Sequence, residues 1–205
     1  MNYKDTLGDK NINTVPVAKA KLTLLSDVEP ENIQWLWYPY IPLGKIIIIE
    51  GNPGQGKTFT SLALAKHVSL GLPFPEDENN NFEPANVLYL TCEDGLGDTL
   101  RPRLDAMGAD TSKIIALEGK YDVNTPDVIN MISLQDLDIL RQVMVETRPK
   151  LMVIDPIQGF LGPKVDMNKA EQIRPVLSNL NRLADEFRCA VVIIRHLAKG
   201  VNAGI

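Results

Sequence analysis

The sequence predicts an α/β fold, with one mostly parallel sheet flanked by helices. Three observations predict it. Apolar, β-branched runs of strand length alternate with helically spaced segments, and that order implies parallel pairing through right-handed crossovers. A glycine-rich stretch, GNPGQGKT, stands where the first long strand gives way to the first helix. At 205 residues the chain suits one well-packed domain burying roughly 70% of its unfolded surface, and two domains would be a squeeze.

Residues 1–30 are polar and without a sustained period, which predicts a flexible N-terminal arm; 31–205 then form the folded domain. The lead-in WLWYPYIPLG precedes Ile46–Ile49, an apolar run expected to be a buried central strand. Thr58–Leu70 carries Leu62, Ala65 and Ser69 at helical spacing and stops at Gly71, a fitting C-terminal cap. After the loop LPFPEDENNNFEP, Val87–Cys92 is the second strand, Asp98–Met107 a short helix and Ile114–Leu117 the third strand. The pattern over 118–132 is ambiguous. Ser133 with Asp136 marks a helix start, and Leu134, Leu137, Leu140 and Met144 share one face. Leu151–Ile154 is the fourth strand, and a long helix follows from Asn168 to Phe187, begun or kinked by Pro175. Val191–Ile194 is the fifth strand, and there is no internal repeat.

Composition excludes several classes. With 44% hydrophobic and 23% charged residues the chain is neither disordered nor fibrous. No apolar run approaches the ~20 residues of a membrane span, and the N-terminus is too polar for a secretory signal, so a cytoplasmic protein is expected. Cys92 and Cys189 both lie in apolar runs and read as small core residues. A net charge of -5 argues against gripping nucleic acid by bulk electrostatics, so any DNA contact has to be local.

GNPGQGKT at 51–58 fits the pattern G-x-x-x-x-G-K-[ST], with an apolar strand before it and a helix after it. Glycines at such a junction let backbone N–H groups curl around a phosphate at a helix N-terminus. Gly51, Asn52, Pro53, Gly54, Gln55, Gly56, Lys57, Thr58 and Phe59 are therefore the expected ATP-binding residues, with Lys57 reaching the β- and γ-phosphates and Thr58 ligating Mg2+. LMVID ends an apolar strand on Asp155, the position for a second Mg2+ contact; a helix-capping Asp is the plainer alternative. Pro156 holds the next position and cannot act as a base. VLYLTCED places Glu93 at a strand's carboxyl end, where it is the expected base for the attacking water, with Asp94 as competitor. The fifth strand brings Arg195, His196 and Lys199 to the same edge, and His196 can bond a γ-phosphate and report its loss. His67 carries no functional reading.

Together these residues resemble the RecA-like P-loop ATPases, and within them the branch of the RepA-type hexameric helicases. The carriers are WLWYPYIPLGKIIIIEGNPGQGKT, CED followed by DTLRPRLDAMGAD, LMVIDPIQGFLGPKVDMN and VVIIRHLAKG, from about Trp35 to Gly200. The resemblance implies a RecA-like core, ATP hydrolysis with Glu93 as base and Lys57 and His196 at the phosphates, and assembly into a homo-hexameric ring. In such rings a neighbouring subunit lends a basic finger, for which Lys199 is the nearest match. Relatives continue beyond the H-x-x-K stretch, so a core truncated at its C-terminus is expected. The implied function is a DNA-associated motor acting on single strands in replication, repair or a mobile element. An ATP-switched assembly module with slow turnover is the alternative, and a P-loop small-molecule kinase is a third reading. That third reading lacks the usual arginine-rich lid, since PIQGFLGPKVDM holds one lysine.

Overall fold

The computed structural model describes residues 21–77, 82–162 and 165–197. The chain divides into two units, Met1–Asn32 and Ile33–Ile205. In the first, the described residues hold a 3-10 turn at Leu25–Asp27; most of the arm expected over 1–30 lies outside the described residues.

The second unit is built on a five-stranded sheet. Its strands are β3 (Ile46–Gly51), β4 (Val87–Thr91), β5 (Ile114–Ala116), β8 (Leu151–Asp155) and β9 (Ala190–His196). Two short antiparallel ribbons join them: β1 (Trp35–Trp37) with β2 (Ile41–Pro42), and β6 (Lys120–Asp122) with β7 (Thr125–Asn130). The helices are α1 (Lys57–Leu70), α2 (Arg101–Met107, entered through a π-helical turn at Leu96–Leu100), α3 (Leu137–Thr147) and α4 (Ala170–Phe187). The sheet order is β3-β9-β8-β4-β5 and every pairing in it is parallel. The chain leaves β3 through α1 and lands on β4, and β8 and β9 later fill the gap between them. All carboxyl ends therefore share one edge, where ligands gather in open α/β sheets.

Strand periodicity of two sorts the side chains between two faces. Leu88, Leu90, Met152, Ile154, Val191 and Ile193 pack with Leu140 and Met144 of α3 and Leu180 and Leu183 of α4. Val87, Tyr89, Leu151, Val153, Val192 and Ile194 pack on the other face with Leu62, Ala65 and Val68 of α1 and Leu104 of α2. Asp155 and His196 continue the second alternation, which aims both at the α1 side.

The α/β architecture stands as expected, and several details differ from it. Among the described residues β3 pairs with β9 alone and Ile48 is 43% exposed, so the Ile46–Ile49 run is an edge strand and not a central one. An apolar run reports a strand but not its neighbours. Cys189 is buried, whereas Cys92 lies past the end of β4 and is exposed. His67 is half-buried, stacked on Phe74 with Nδ1 2.9 Å from the Pro73 carbonyl oxygen. Pro175 lies inside α4; the helix begins five residues earlier and runs through it, carried by burial of Val176, Leu180 and Leu183. The ambiguous 118–132 stretch is the β6–β7 hairpin, with both strands almost wholly on the surface. Before α3, Ser133 N–H donates to Asp136 Oδ2 at 2.8 Å and the helix starts after Asp136, three residues later than a cap at Ser133 implies.

Candidate nucleotide site

The loop after β3 is shaped by its own side chains. Gly54 and Gly56 have φ of 80° and 78°, the left-handed region where a Cβ is strained, and Gly56 caps α1. A Cβ on Gly51 would lie 2.5 Å from Gln55 Oε1, which accepts the Asn52 N–H at 2.7 Å. Lys57 is buried, its Nζ donating to the carbonyls of Gly51 (2.9 Å) and Asn52 (2.8 Å). These bonds hold the ammonium across the mouth of the loop, facing the space that the glycine backbone encircles.

Asp155, at 4% exposure, ends β8 beside Thr91 of β4. Its neighbours are hydroxyls: the Thr58 side chain hydrogen-bonds it, and Tyr89 Oη donates to Oδ2 at 3.3 Å. Burial pushes its carboxyl above the usual range, while the Thr58 and Tyr89 bonds and the charge of His196 pull the other way. The Tyr89 hydroxyl is pushed up as well, by burial first and then by the Asp155 charge. A hydroxyl and a buried carboxylate form an all-oxygen donor pair of the kind that suits a small hard divalent cation, completed by phosphates of a substrate. Among the described residues no group of three or more His, Cys, Asp or Glu is placed to hold a metal unaided. As an all-oxygen pair, Thr58 and Asp155 fit Mg2+ carried with a nucleotide.

His196 is in register with Gly51, and the Leu197 N–H donates to the Gly51 carbonyl at 3.3 Å, so the end of β9 lies against the loop. Its Nδ1 stands 3.8 Å from Glu93 Oε1. Glu93 is just over half exposed, whereas Asp94 is more enclosed and accepts from Arg103 Nη1 at 3.1 Å. A cleft of about 300 Å³ is lined by Pro53, Gly54, Gly56, Lys57, Thr58, Phe59, Glu93, Asp94, Arg103 and His196. Glu93, Lys57, Thr58 and His196 thus face one space, with Asp155 behind Thr58. Arg195 is half-buried and pairs with Glu50 at 3.3 Å. Lys199 lies outside the described residues.

Sequence reasoning missed three participants. Periodicity puts Tyr89 on the same face as Thr91 and Ser61 one turn from Thr58, but only the pairing of β4 with β8, which no local signal marks, brings them to Asp155. Arg103, whose guanidinium lies 5.2 Å from the Phe59 ring centre, comes from α2 and had no motif to mark it.

The chain is similar to "DNA repair protein RAD51 homolog 4" of Bos taurus, 27% identical over 170 residues covering 78% of this chain and 49% of that protein. It is also similar to "DNA repair protein RadA" of Escherichia coli, 28% identical over 158 residues, covering 76% of this chain and 28% of that one. RadA of Salmonella typhimurium matches at 27% over the same length. The chain thus spans about half the length of the first relative and little over a quarter of the others. These similarities bear out the resemblance to the RecA-like P-loop ATPases. With residues 15–202 matching its profile, the chain belongs to the AAA domain family.

Proposed function

We propose that this chain hydrolyses ATP with Mg2+ and couples the turnover to single-stranded DNA, as the motor part of a repair or replication protein. The observation that carries the reading is the convergence of Lys57, Thr58 and Asp155 with Glu93 and His196 on one edge of the sheet. The repair names of the relatives support the DNA part.

In this reading the loop's N–H groups and the Lys57 ammonium bind and orient the phosphates. Thr58 and Asp155 hold the Mg2+ ion, which when bound offsets charge on the β- and γ-phosphates. Glu93 takes a proton from the attacking water. His196, tied to the loop through the Gly51–Leu197 contact, bonds the γ-phosphate and passes its loss into the segment after β9. DNA is met locally, by basic loops inside a ring of several copies, since a net charge of -5 per copy excludes a grip by bulk electrostatics.

Phosphate release measured with and without single-stranded DNA tests this. Mg-dependent turnover that rises severalfold with DNA is expected. Slow turnover indifferent to DNA, with assembly that follows ATP, would favour an ATP-switched assembly module instead.

A further inference from the structure

Behind the cleft lies a buried chain of hydroxyls. Ser61, Tyr89 and Asp155 are 0%, 2% and 4% exposed. Ser61 Oγ stands 2.8 Å from the Thr58 carbonyl and 2.8 Å from Tyr89 Oη, and Tyr89 Oη stands 3.3 Å from Asp155 Oδ2. The chain thus connects the first turn of α1 with the end of β8 across β4.

The protons do not suffice for every contact at once. Ser61 and Tyr89 have one hydroxyl proton each, and there are three contacts to serve. In one direction Ser61 donates to Tyr89 and Tyr89 donates to Asp155. In the other, Tyr89 donates to Ser61 and Ser61 donates to the Thr58 carbonyl, so Asp155 loses a donor. The tyrosine hydroxyl therefore has a task beyond filling the core, because a phenylalanine would fill the same space.

We propose that Tyr89 is a positioning residue for the divalent cation: its hydroxyl holds Asp155 Oδ2 and so sets the rotation of the carboxylate that meets the ion. The inference rests on the assignment of Asp155 to that ion. A carboxylate free to turn about its last bond loses part of its binding to the ordering of that bond, and a fixed donor removes this loss.

The test is the affinity of the intact chain for a fluorescent ATP analogue, measured with EDTA and again across a Mg2+ titration. The wild type should bind more tightly as Mg2+ is added. Tyr89→Phe should keep its metal-free affinity within about twofold while the gain from Mg2+ falls about tenfold, the worth of one hydrogen bond to a charged group. Ser61→Ala takes away the competing acceptor for the tyrosine proton, so its Mg2+ gain should equal or exceed that of the wild type. Equal gains in Tyr89→Phe and the wild type would overturn the proposal, as would a matching loss of metal-free affinity, which marks a merely structural role. Should Tyr89→Phe fail to fold, Ser61→Ala decides, and a gain reduced more than twofold there overturns the proposal. Asp155→Asn separates the two levels. If that variant keeps the gain, the ion assignment itself falls; if it loses the gain while Tyr89→Phe keeps it, only the role of Tyr89 falls.

Discussion

Replacing Glu93 by glutamine isolates the chemical step. The side chain is 56% exposed and its Oε1 stands 3.8 Å from His196 Nδ1, longer than a hydrogen bond, so its carboxylate can turn toward a water in the cleft. Asp94 is differently placed, bonded to Arg103 at 3.1 Å, and a carboxylate already accepting from a guanidinium is a weaker base. A general base contributes about 10²- to 10⁴-fold, or roughly 3–5 kcal/mol of barrier. Losing a contact this long and exposed costs well under ~1 kcal/mol, too little to imitate that loss. Glu93→Gln should therefore lower kcat by at least about a hundredfold and leave nucleotide affinity within a few fold, because glutamine keeps the shape and cannot take the proton. Asp94→Asn should stay within about tenfold. Steady-state phosphate release with parallel nucleotide titrations decides it. The reasoning is refuted if Asp94→Asn is the more damaged variant, or if both stay within a few fold of wild type.

Other expectations follow from single contacts. Gly51→Ala brings its Cβ to 2.5 Å from Gln55 Oε1, the free end of an exposed side chain that can turn aside at the cost of its bond to the Asn52 N–H, so ATP binding should weaken only a few fold and Gln55→Ala on the same chain should restore part of it; isothermal titration checks both. Asp136 is held below the usual carboxylate range by Lys120, whose Nζ lies 2.7 Å away, and by the Ser133 N–H. A depressed carboxyl stabilises the fold above its unfolded pKa and loses that contribution as pH falls through the folded value. Asp136→Asn should thus cost about 1 kcal/mol in urea unfolding at pH 7, and the difference should shrink as pH falls below about 4. Leu140, fully buried against the sheet, should cost about 2–5 kcal/mol as alanine, while Val145→Ala on the exposed side of the same helix stays within about 0.5 kcal/mol.

Much of this was legible in the sequence for identifiable reasons. The loop, its strand and its helix are local, and glycine at positive φ leaves a clear mark at Gly54 and Gly56. Asp155 stood out because a carboxylate closing an apolar strand needs a partner. Pairing was not legible. Nothing local says that Ile46–Ile49 lies at the sheet's edge, because its neighbour β9 is more than a hundred residues away in the chain. The β6–β7 hairpin is almost wholly exposed and so carries no two-residue burial pattern to read. Arg103 and Tyr89 are site residues by tertiary contact. Tyr89 looks like an ordinary strand aromatic until Asp155 and Ser61 are set beside it.

The central claim is hydrolysis of Mg-ATP at the loop of residues 51–58, and Lys57→Ala tests it most directly. Its Nζ is the cation held across the loop by the Gly51 and Asn52 carbonyls. Phosphate release by the wild type and by Lys57→Ala should be measured side by side with saturating ATP and Mg2+. The account predicts Mg-dependent turnover in the wild type and a fall of about a hundredfold or more in the variant. Equal turnover in the two proteins would contradict it.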